Sequence, residues 1–231
     1  PESQGGRVLL YVNRAVKEVI RDGWYLSVIL EDNQRSRSSL EGGRAGLPDY
    51  RHVGGITTYT LTGLRRRMSG FLPVVRTATA ADIPAMNRWV DEMAAHYQFL
   101  PCYDFNGLQN GDPFFQGLGI EDFLLVEEGG KLRGLVGVWN QKSFKQTRVT
   151  GYSRALAWVR PFWNLWSAWT GGLHLPATGE AFDYLALHSP LTRPDDLPAF
   201  RALMQAAWEQ TRHRGSRAMT LTLADNDPRQ E

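Results

Sequence analysis

Apolar residues fall at helical spacing at Val8, Val12, Ala15 and Val16, and then at every second position at Leu26, Val28 and Leu30. The same change of period returns near the far end of the chain. Phe200, Met204, Ala207 and Trp208 repeat the first stripe 192 positions later, and Met219, Leu221 and Leu223 repeat the alternation after one inserted residue. A 3.6-residue stripe predicts an amphipathic helix, and period two predicts a half-buried strand. Gly23 and Gly215 stand at the expected stops, where glycine enters a left-handed conformation without steric cost. Asp32-Asn33 and Asp225-Asn226 close the two strands. The pattern predicts an internal duplication of one helix-glycine-strand unit.

Between the copies the periodicity marks a fresh start. The stretch "LRRRMSG" (64–70) reads as a linker with solvated charge. It is followed over 74–97 by a short strand, a capping box from Thr79 to Asp82, and a helix burying Ile83, Met86, Val90, Met93 and Tyr97. "FLLVEEGGKLRGLVGVWN" (123–140) predicts two strands turning at Gly129-Gly130, and "FDYLALHS" (182–189) predicts a third. Segment 141–181 interrupts this order with "ALAWVRPFWNLWSAWTGG". On a helix, Trp158, Phe162, Trp166 and Trp169 share a face, with Pro161 at its start or at a kink. Packing in a core or against another unit is the ordinary meaning of such a stripe. An apolar pocket for an acceptor or acyl chain is the sharper one.

Composition narrows the class without naming a partner. In 231 residues, 26 basic and 24 acidic side chains leave a formal charge of +2, too balanced to argue for a nucleic-acid surface. A single cysteine, Cys102, excludes an internal disulfide, and His52, His96, His174, His188 and His213 have no metal-ligand spacing, so no metal is expected. No apolar run approaches the roughly 20 residues of a membrane span, so no membrane partner is expected and the cytoplasm is the expected location. A start at Pro1 without an initiator methionine points to a piece of a longer product.

The order strand, helical region, hairpin, strand, helix, strand resembles the GCN5-related N-acetyltransferase (GNAT) superfamily. "VVRTATAADIPAM" is similar to the family's opening strand and first helix, and "LVEEGGKLRGLVGV" to its second and third strands. "PESQGGRVLLYVNRAVKEVIRDGWYLSVILEDNQRS" (1–36) is similar to its cofactor-binding segment. The resemblance implies an α/β fold (α+β with a mixed sheet) in tandem or complementary units. Residues 1–64 would be the later half of a first unit and 65–73 a linker. Residues 74–231 would be the earlier part of a second unit, with the Trp-rich insertion at 141–181.

It further implies acyl transfer from acetyl-CoA or another acyl-CoA, by direct attack of a small-molecule or peptide amine on the thioester. In the family a turn before a helix aims N–H groups at the pyrophosphate. Gln4, Gly5, Gly6 and Arg7 are the first copy's version, although Gly5-Gly6 also reads as a plain loop. The second copy offers "TRPDDLPAF" (192–200), without glycine. There Pro194 and Pro198 lack N–H donors, and Asp195 and Asp196 repel phosphate. Ala186, Leu187, Asn33 and Asn226, at the strand edges and ends, complete the expected cofactor contacts. Asp183 and His188 are the candidate bases, and Tyr50 lies where the family often places a tyrosine that protonates the departing thiolate. Each also has a purely structural reading. The alternative is a GNAT-derived module without catalysis, whose Trp-rich segment forms a partner or dimer interface; a homodimer stays open.

Overall fold

The computed structural model describes residues 26–42, 50–63, 72–101 and 103–230, together with positions 11, 12, 14–16 and 18. Gln4 to Arg7, Val8, Gly23, Cys102 and most of the expected linker lie outside the described residues. The chain divides into two compact units, 1–54 and 55–231.

In the first unit, helix α1 (Gln34–Leu40) begins at Asn33, whose side chain accepts a hydrogen bond from the Ser36 N–H at 3.1 Å. A short polar side chain at this position satisfies one of the free donors of the first turn. Residues 26–30 form no strand, and Leu26, Val28 and Leu30 are exposed. Here the expectation of a repeated strand is corrected. Alternation alone cannot hold an extended segment that, among the described residues, has no neighbouring strand to bond.

The second unit is a mixed α/β structure on a six-stranded sheet in the order β1-β6-β5-β4-β3-β2. Its strands are β1 (Ile56–Leu61), β2 (Val75–Thr77), β3 (Phe123–Glu128), β4 (Lys131–Trp139), β5 (Leu185–Thr192) and β6 (Met219–Ala224). Neighbours are antiparallel except β5 and β6, which run parallel. The β3–β4 turn is the predicted two-residue hairpin. Gly129 and Gly130 have φ of 57° and 75°, which matches the right-handed twist of the flanking strands.

Strand β1, expected with the first half of the chain, is built into this sheet. All six of its residues pair with β6. The pairing satisfies the backbone N–H and C=O groups that the β6 edge would otherwise leave unpaired. Asp225 closes the junction by accepting from the Thr57 hydroxyl at 2.8 Å.

One helical layer covers each face. Helix α2 (Ile83–Met93) buries the predicted Ile83, Met86, Val90 and Met93, with Trp89 added. Ahead of it, the Thr79 N–H and hydroxyl donate to the Asp82 carboxylate, which also receives both terminal nitrogens of Arg76. On the other face, α4 (Leu197–His213) buries Phe200, Leu203, Met204 and Ala207, and Gly215 follows with φ of 80°. Helix α3 (Arg154–Thr170) carries all four tryptophans of the insertion at 141–181, and Pro161 lies within it.

Candidate functional site

Two parallel strands that part company create the most distinctive geometry of the second unit. β5 and β6 pair only at Leu185–Met219 and Ala186–Thr220, although both continue well beyond. The cause lies in β5. Its register against β4 shifts by one residue between Leu135 and Gly137, and Ser189 takes a left-handed φ of 49° ahead of Pro190, which has no N–H. The extra residue inverts the alternation: Leu187 faces the α4 layer, whereas Leu191 packs with α2. The β5 edge from Leu187 onward thus turns away from β6.

The gap is filled from within the chain. The side chains of Arg229 and Asp227, only 4% and 6% exposed, form an ion pair there. The Arg229 guanidinium donates to the Pro190 carbonyl at 2.7 Å and lies 5.0 Å from the ring centres of both Tyr97 and Phe200. Burial would raise the Asp227 carboxyl, but the hydrogen bonds and charge of Arg229 outweigh it and hold it below the ordinary carboxylate range. The Tyr97 hydroxyl donates to the Thr192 carbonyl at 2.7 Å, and burial pushes it up to about 12.

The α4 N-terminus, where a pyrophosphate would meet helix amides, is also self-satisfied. Asp196 accepts from the Ala199 N–H at 3.1 Å and from two nitrogens of Arg133 at 2.9 and 2.7 Å. Its carboxylate occupies the position that an anionic ligand would need. The residues present do not fit an acyl-CoA in this unit: the edge carbonyl is engaged, the gap is filled, and the phosphate end carries negative charge.

A separate cleft of about 190 Å³ opens beside the start of β5, lined in part by Lys142, Lys145, Thr147, Asp183, Tyr184 and Ala186. Asp183 is paired with Lys142 and accepts from the Ser216 hydroxyl at 2.7 Å. Burial raises its carboxyl, but these partners together bring it below its usual value, which makes it a weak base.

His188 projects from the β5 edge into an aromatic enclosure. Tyr103, Phe114, Phe115, Phe123 and Trp139 all lie within 6.2 Å between ring centres. Its Nε2 is buried without a hydrogen-bond partner, and burial lowers the imidazole to about 4. Among the other expected residues, Ala186 is the last paired position, Leu187 borders the gap, and Asn226 is an exposed turn residue. Asn33 and Tyr50 belong to the first unit, where the Tyr50 hydroxyl accepts from Ser27 at 3.3 Å. Sequence reasoning missed Arg229 and Arg133, because an isolated arginine gives no periodic signal.

The Trp stripe, expected to pack, points outward. Trp158, Phe162, Trp166 and Trp169 are exposed, as is Leu165 beside them, whereas Asn164 and Ser167 face the protein. Among the described residues, no cluster of His, Cys, Asp and Glu could hold a metal, and no helix is long and apolar enough to cross a membrane. In comparison with known proteins, the chain matches no family model and no curated protein sequence.

Proposed function

We propose that residues 55–231 form a GNAT-type module that docks to a partner surface and does not itself seat an acyl-CoA. The filled gap between β5 and β6 carries this reading. Arg229 holds the β5 carbonyl that a pantetheine arm would bond along the strand edge, and Asp196 caps the helix that would receive the pyrophosphate. The strand order and the parting of β5 from β6 support descent from the acyltransferase architecture.

Acyl-CoA-dependent N-acyltransfer to an amine is the second reading, favoured by that same parting. In this reading the amine would enter the cleft beside Asp183. The test is a titration of the full chain with acetyl-CoA, followed by ¹⁵N amide shifts. No saturable change is expected at Leu187, His188 or Asn226. Saturating shifts at those amides would overturn the module reading and restore the enzyme.

A further inference from the structure

Helix α3 is amphipathic in the inverted sense. Arg160, Asn164 and Ser167, at spacings of four and three, form a polar stripe turned toward the protein. The Asn164 side chain both donates to the Leu175 carbonyl at 3.0 Å and accepts from the Leu175 N–H at 2.8 Å. The Ser167 hydroxyl and the Trp163 indole N–H donate to the Leu173 carbonyl at 2.8 and 2.9 Å. Arg212 and Arg217 reach carbonyls at the helix C-terminus, on Gly171 and Ser167. The polar side is thus fastened to the body of the unit. On the opposite side, Trp158, Phe162, Leu165 and Trp169, at spacings of four, three and four, are 81%, 73%, 70% and 93% exposed. Large side chains in one continuous stripe mark an interaction surface.

Charge identifies what covers it. From Gln141 to Gly179 the chain carries Lys142, Lys145, Arg148, Arg154 and Arg160 and no aspartate or glutamate. Lys142 is paired with Asp183 and Arg160 lies on the inward stripe, which leaves Lys145, Arg148 and Arg154 exposed and, among the described residues, outside any ion pair. A second copy meeting this stripe with its own would bring a second set of these cations and no acid from 141–179. Residues 1–54 are no better a complement, having eight basic and seven acidic side chains. An anionic surface satisfies both features, since lipid headgroups attract the cations while the acyl boundary receives the rings. Tryptophan suits that boundary because its ring is apolar and its N–H is polar.

We propose that α3 lies flat in the interface of an anionic lipid membrane, with Trp158, Phe162, Leu165 and Trp169 inserted and Lys145, Arg148 and Arg154 at the headgroups. This rests on the docking-module reading and names the surface. A helix lying in the interface needs no membrane-spanning run.

The test is co-sedimentation of the full chain with phosphatidylcholine vesicles containing phosphatidylglycerol, read together with tryptophan emission. Binding with a blue shift is expected on the anionic vesicles, with much weaker binding on pure phosphatidylcholine and weakening as salt rises. The triple variant Trp158→Ser, Phe162→Ser, Trp169→Ser should lose binding by about tenfold or more. Its thermal midpoint should stay unchanged, because the replaced side chains are exposed. Failure of the wild-type chain to bind anionic vesicles would overturn the proposal. So would a dimer in light scattering that the triple variant abolishes. Acetyl-CoA titration tests only the closed gap, so acyl-CoA binding with vesicle binding intact would sink the module reading and leave the membrane contact standing.

Discussion

Replacing Arg229 with alanine strands a carboxylate inside the second unit. The Asp227 side chain is 6% exposed, and its charge is compensated by the guanidinium that would be removed. Breaking a buried pair from one side costs about 3–5 kcal/mol. The lost contacts with the Tyr97 and Phe200 rings add about 0.5–1 kcal/mol each. A domain of this size loses about 2–4 °C of midpoint per kcal/mol, so a fall of about 10 °C or more is expected at pH 7. The double variant Asp227→Asn, Arg229→Met removes both charges and should return to within about 2 kcal/mol of wild type. Circular-dichroism melts and urea titrations of the three proteins measure the difference.

The pH dependence follows from the lowered Asp227 carboxyl. The pair contributes fully above the unfolded carboxyl value of about 4, and its contribution disappears as pH falls through the lower folded value. The gap in stability between wild type and double variant should therefore close in acid. An Arg229→Ala midpoint within about 1 kcal/mol of wild type at pH 7 would refute the account of a buried, mutually dependent pair.

Two further substitutions probe the sheet on the β4–β5 side of this gap. His188, lowered to about 4 by burial, should remain neutral in ring NMR spectra at pH 6. Because the unfolded chain takes up that proton first, stability should fall by up to about 3 kcal/mol as pH drops from 6.5 toward 4. His188→Phe should flatten that slope, and a His188 titration near 6.5 would contradict the enclosure. At Gly134 an added Cβ would lie 2.6 Å from Thr192 Cγ2 and 3.0 Å from Leu203 Cδ1, where α4 crosses β4. Gly134→Ala should lower the urea midpoint by the equivalent of about 1–3 kcal/mol with the slope unchanged.

Local pattern carried a good deal of this molecule. The stripe of α4, the stop at Gly215, the alternation of Met219, Leu221 and Leu223, the Thr79–Asp82 box and the Gly129-Gly130 hairpin are all legible in sequence. Each depends on neighbours a few residues away. The candidate site was only half legible. Asp195, Asp196 and the two prolines already argued against a phosphate seat, whereas nothing in the spacing connected Arg229 to Pro190.

What tertiary structure alone decided is which edges and faces find partners. Identical alternation gives a buried strand at 219–224 and no strand at 26–30, because only the former lies between two other strands. The Trp stripe has the periodicity of a core helix, yet it faces outward because Asn164 and Ser167 bond the chain at 173–175. Period records that a helix has two different sides. Which side turns inward depends on hydrogen bonds made after the chain has folded back on itself, and those are not written in the spacing.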